Sequence, residues 1–235
     1  MYILLLVLAV IPGLLISYYI IRLDKYDREP RLHLLLNFVA GMLVTFPVLV
    51  VERAAARAGW DQPDHVGATI AFAFIAVALV EEGAKLLILL IYPYSLRKFN
   101  EPMDGIVYSV MIGMGFATLE NILYAGSYGF QTILVRALTA VPAHGAFSII
   151  LGYFVGLAKF QPGKQAHLIA KGFLLTVLLH GAYDFFILQS LFNWLIILAI
   201  VVLAASVYYA RTMVMHHQVH SPFRENEEEK KKEDL

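Results

Sequence analysis

The sequence predicts an all-α, polytopic transmembrane bundle of about seven helices. Three observations predict it. Hydrophobic residues make up 60% of the chain, charged residues 15%, and mean hydropathy is +0.70, outside the range of soluble domains. Apolar runs of roughly 20 residues, the length a hydrocarbon core of about 30 Å demands, recur with only short polar interruptions. These runs are continuous, whereas a barrel strand is about ten residues of alternating polarity, so the spans are helical.

The elements follow in order. The first, at about residues 2 to 22, reads "MYILLLVLAVIPGLLISYYIIR"; without a positively charged leader or a small-residue cleavage site it is expected to be a retained helix. The others fall at about 32 to 52, 66 to 92, 103 to 125, 137 to 158, 168 to 189 and 192 to 212. The very short connection between the last two predicts a tight antiparallel pair. Residues 1–212 therefore form one membrane-embedded domain, and 213–235, ending in "RENEEEKKKEDL", read as a charged, disordered cytoplasmic tail. No loop is long enough for a separate soluble domain, and no internal repeat is visible.

Charge balances overall but not by side. Fourteen Lys/Arg fall in the segments around Arg22–Arg31, Arg97–Lys98, Lys159–Lys171 and from Arg211 onward, against three on the other side, Arg53, Arg57 and Arg136. By the positive-inside rule the N-terminus faces outside and the C-terminus is cytoplasmic. The chain has no cysteine, which removes disulfides, thiolate zinc sites and cysteine nucleophiles. No nucleic-acid partner is expected; the partners are the lipid bilayer and whatever the site acts on.

A charge at the bilayer centre costs several kcal/mol, so ionisable residues inside spans face a bundle interior or a wet cavity. Here they accumulate on four successive helices: Glu81, Glu82 and Lys85; Glu120 and Asn121; His144; His180 and Asp184. Glu81 and Lys85, Phe116 and Glu120, and His180 and Asp184 are each four apart and share a helix face. Glu82 is turned about 100° from Glu81, so one carboxylate faces the reaction and the other a neighbouring helix. With N outside, the cluster opens toward the extracytoplasmic side. A single buried Glu–Lys pair serves assembly about as often as chemistry. Two carboxylates against one lysine require a retained proton or a further partner, which is what catalytic and proton-carrying sites exploit. Elsewhere the plain reading holds: Glu52, Arg53 and Asp104 are boundary residues, with Asp104 open to a second, cytoplasmic feature. Tyr124 and Tyr183 are packing or interface anchors, and the "HHQVH" near the end is not a metal site.

The motifs "EEGAK", "FATLEN", "VPAHGAF" and "LLHGAYD", with "DKYDREP" in the first loop, resemble the PrsW family of intramembrane proteases, within the superfamily that includes the CAAX prenyl endopeptidases. The resemblance runs to about Arg211. It implies a bacterial cell-membrane endopeptidase whose protease domain is residues 1–212 and which makes the first, extracytoplasmic cut in a single-span membrane protein, an anti-sigma factor. Glu81 is expected to act as general base on water, with Glu82 beside it in the catalytic set and Lys85 drawing the Glu81 carboxylate pKa down against desolvation. The corresponding superfamily motif ends in His where this chain has Glu120, so His144 supplies the imidazole. His180 polarises the scissile carbonyl and Asp184 orients it. Lys85, Phe116, Glu120, Asn121 and Asp184 support the site. Two cofactor states stay open: none, or Zn2+ held by His144, His180 and Glu120 or Asp184. A function of another class, a proton or ion transporter with a Glu/Lys/His relay, has less support, because no second "EEGAK"-like segment marks a paired repeat.

Overall fold

A computed structural model describes residues 2–224. Among the described residues there is no β-strand, and the chain forms an all-α bundle. Its elements are α1 (Tyr2–Leu23), α2 (Arg31–Arg57), a third rod made of α3 (Val66–Ala71), a π-helical stretch (Phe72–Leu79) and α4 (Val80–Ile91), then α5 (Pro102–Leu138), α6 (Ala140–Phe160), α7 (Gln165–Leu188) and α8 (Ile196–Val219).

Five helical stretches are long and apolar enough to cross a membrane by themselves: Ile3–Leu23, Arg31–Arg57, Pro102–Phe160, Gln165–Leu188 and Asn193–Val219. The third of these is α5 and α6 together. Gly105 meets Gly152 and Gly156 while Gly113 meets Ser148, so rising numbers on α5 run against falling numbers on α6 and the pair is an antiparallel hairpin. The rod over 66–91 is not one of the five; its α-helical parts, of 6 and 12 residues, flank the eight-residue π-helical stretch without a break.

α5 is the axis of the bundle. Every residue from Met103 to Thr118 is buried, which follows from a sequence apolar or small all round, with α1, α2 and α6 packed on it. Gly113 and Gly115 make this packing close: a Cβ at either would strike Ser148 on α6 or the Phe38 backbone on α2. Outward faces of the peripheral helices expose Leu15, Leu43, Val50, Ile197 and Val201, which in a bilayer is the lipid-facing surface.

Several boundaries differ from the sequence reading, among them α2, which runs past 52 to Arg57. α5 does not stop near 125 but continues to a sharp break at Gly129 (φ 80°, ψ −171°), after which residues 130–138 form a further helical segment. Positive φ there is a conformation glycine adopts without steric cost. α8 also runs on to Val219, seven residues past the expected end at 212, so the predicted tail begins as helix. His217 on this extension is buried, stacks on Tyr153 at 4.3 Å and faces the Tyr153 carbonyl. The remaining tail, 225–235, lies outside the described residues.

Candidate active site

The third rod carries the first site residues. Its π-helical stretch ends at Leu79, two residues before Glu81, and packs against α7, which brings His180. Such stretches add a residue to a turn and reset the face that follows, and they are frequent at functional sites. Glu81, Glu82 and Lys85 are 2%, 0% and 2% exposed, as buried as any leucine in the core.

Lys85 Nζ donates to Glu81 Oε2 (3.0 Å), Glu82 Oε1 (2.8 Å) and His144 Nδ1 (3.1 Å), and lies 4.3 Å from the centre of the Phe116 ring. An ammonium only donates, so His144 Nδ1 must accept, and the ring proton sits on Nε2, from which it donates to Glu120 Oε2 at 3.1 Å. His180 lies between two carboxylates, with Nδ1 2.9 Å from Glu82 Oε1 and Nε2 3.2 Å from Asp184 Oδ2. Each ring nitrogen faces a carboxylate oxygen, the geometry of an imidazole that donates on both sides. The two imidazoles meet edge to face at 5.2 Å, and Phe147 stacks on His180 at 5.1 Å. The spacing pairs expected from sequence, Glu81 with Lys85 and His180 with Asp184, are thus both made.

The two carboxylates of the doublet divide. Glu81 borders a cavity of about 500 Å³ that also touches His144, His180, Glu120 and Asp184, whereas Glu82 does not. Glu82 is held by Lys85 and His180 through one oxygen, and its other oxygen is buried without a partner.

Two residues in this cavity were not assigned to the site from sequence. Arg136, counted there only as an outer-side charge, is folded back by the break at Gly129 onto its own helix. Its Nε donates to Asn121 Oδ1 (2.8 Å), its Nη2 lies 2.7 Å from Glu120 Oε2, and its guanidinium sits 3.9 Å over the Tyr124 ring. Asn121 therefore acts on Arg136. Glu52 is a correction of another kind: α2 continues past it to Arg57, and Glu52 and Tyr124, read as boundary and packing residues, both line the cavity. Glu52 has a buried oxygen without a partner. No local signal marks either residue, since both depend on where a helix ends or bends.

Glu81, Glu82, His144 and His180 offer donor atoms all within 4.8 Å of one another, a grouping able to surround a metal ion. This differs from the set drawn from sequence. Glu120 and Asp184 do not join it; they hold the Nε2 atoms of the two histidines.

At the opposite end, the start of α5, Asp24, Glu29, Glu101 and Asp104 are also buried. Asp104 caps α5 by accepting from the Asn100 and Glu101 amides at 2.7 and 2.9 Å, and Tyr108 donates to Glu29 from the "DREP" loop. Burial, with Glu101 and Glu29 nearby, pushes the Asp24 carboxyl up to about 7.

An all-α polytopic membrane protein with carboxylates and imidazoles gathered on a buried lysine beside a cavity has the groups that a membrane-embedded hydrolase uses. Comparison narrows the class: residues 29–210 match the model of the "PrsW family intramembrane metalloprotease". The chain belongs to the PrsW family. It is 39% identical to Protease PrsW of Geobacillus kaustophilus over 77% of this chain and 79% of that protein. With Protease PrsW of Clostridioides difficile the identity is 36% over 83% of each chain, and with that of Bacillus subtilis 35% over 80% of this chain and 84% of the relative. No solved structure matches.

Proposed function

We propose that this protein cuts a single-span membrane protein, an anti-sigma factor, on the extracytoplasmic side, with Glu81 as the general base on water. The observation that carries this reading is that Glu81, His144 and His180 border one cavity while Glu82 is shut away from it. The membrane is crossed seven times, counting the third rod once and the α5–α6 hairpin twice, with the N-terminus outside. This places the cavity, lined near the ends of α2 and α7, toward the outer face.

In this mechanism the Glu81 carboxylate, positioned by its hydrogen bond from Lys85, accepts a proton from water and returns it to the leaving nitrogen. The His180 imidazolium, held from both sides, supplies positive charge for the developing oxyanion, and Asp184 fixes its ring. Glu120, itself held by Arg136, sets the His144 tautomer. Family membership and the absence of a second such motif set the transporter reading aside.

The family's description as metalloproteases favours a second reading, and the donor set bears on it. Two carboxylates and two imidazoles are ligands that suit zinc, and the unpartnered Glu82 oxygen is free to coordinate. Glu81, Glu82, His144 and His180 would hold the ion. A bound zinc supplies a water of lowered pKa and a Lewis acid for the carbonyl.

The experiment is cleavage of a reconstituted single-span substrate by purified wild type and Glu81→Gln. Loss of about 10²- to 10⁴-fold in rate with retained fold is expected for a general base. Undiminished cutting would take Glu81 out of the reaction.

A further inference from the structure

An ammonium group has three N–H bonds and needs three acceptors. Lys85 has three, Glu81 Oε2, Glu82 Oε1 and His144 Nδ1, at 3.0, 2.8 and 3.1 Å. The Phe116 ring covers it on another side at 4.3 Å, and its side chain is 3% exposed, so it neither needs nor meets bulk water.

Three of the four residues grouped closely enough to surround a metal are therefore already bound to one cationic nitrogen. Zinc sits roughly 2.0 to 2.2 Å from such oxygen and nitrogen donors, which puts it in the space Nζ holds. A doubly charged ion within a few ångströms of an ammonium, away from solvent, is strongly repelled. We infer that the Lys85 ammonium is the resident cation of this cluster, and that a divalent metal ion and Lys85 are mutually exclusive occupants of the position between Glu81, Glu82 and His144. The lysine is placed there by its own helix, at i+3 and i+4 from the two glutamates. A metal enters only when that side chain withdraws. The cavity of about 500 Å³ bordering Glu81 and His144 adjoins this position. The inference concerns what fills the site and stands apart from the proteolytic reading, since its test measures binding and not cutting.

The test uses full-length protein in detergent, freed of metal with a chelator. Zn2+ affinity is measured by competition with a chromophoric chelator, and Co2+ binding by its visible absorption, which reports a tetrahedral nitrogen and oxygen site. Lys85→Met is expected to bind one ion tighter than wild type by on the order of a hundredfold or more, and Glu82→Gln added to it should abolish the gain. Equal affinity in wild type and variant, including no binding by either, overturns the inference. Lys85→Gln, uncharged but polar, repeats the measurement in case methionine is not tolerated. If neither variant folds, wild type decides through labelling of Lys85 with an amine reagent at saturating Zn2+. Labelling that appears only as zinc loads supports the inference; zinc taken up with Lys85 still protected, or no uptake at millimolar Zn2+, refutes it.

Discussion

Arg136 offers the most searching test of how the cavity wall is built. Replacing it by methionine removes the hydrogen bond to Asn121, the contact over Tyr124 and the ion pair with Glu120. Breaking a buried ion pair costs about 3–5 kcal/mol because one charge is left uncompensated. Side-chain exposures of 16% for Arg136 and 10% for Glu120 admit some solvent screening. Nη2 is also close to Glu120 without a well-aligned hydrogen bond. These two facts favour the lower end, about 3 kcal/mol in total. The charge is the larger part, so Glu120→Gln in the Arg136→Met background should recover about 1–2 kcal/mol relative to additivity. The assay is reversible unfolding in mixed detergent micelles, followed through the two tryptophans, Trp60 and Trp194, for wild type, both singles and the double variant. Strict additivity would show that the two side chains do not act as a pair, and the folded-back arrangement after Gly129 would be wrong.

Two further outcomes follow from the packing and from the opposite end. Gly113→Val places a branched side chain where Ser148 already stands, so α5 and α6 must separate; a loss of about 2 kcal/mol or more and a lowered thermal midpoint are expected, with Gly126→Ala, which faces open space, as the tolerant control. Asp24 has a folded pKa near 7 against an ordinary value of 3.8, so the folded state holds the proton more tightly. Its effect is to lower stability as pH rises from about 4 to 7, with no further change above that, and Asp24→Asn should flatten this slope and raise stability at pH 8. An Asp24→Asn protein with the wild-type pH profile would assign the slope to another group.

Much of the architecture was legible because membrane helices obey a local rule: an apolar run of sufficient length must satisfy its own backbone hydrogen bonds. The clustering of Glu81, Glu82, Lys85, Glu120, His144, His180 and Asp184 was legible for a related reason. Charge is costly in hydrocarbon, so polar residues on neighbouring helices have few places to go but toward each other. The four-residue spacings gave the same-face pairs, because helical geometry is set within a single turn. Glu52 and Arg136 escaped, since one lies where α2 overruns its expected end and the other reaches the site only through a backbone reversal at Gly129.

The amino-acid order by itself thus determined the all-helical membrane class, the four site-bearing helices and the pairs within each helix, all properties of segments shorter than one span. Only the tertiary structure decided which glutamate meets the cavity, which nitrogen of each imidazole faces which carboxylate, and that one ammonium stands among three of four candidate ligands. Those are relations across helices 59 and 98 residues apart in sequence. They depend on how each rod is rotated and how deep it sits, which close packing across the helices, such as Gly181 on Phe74 and Gly172 on Phe154, constrains.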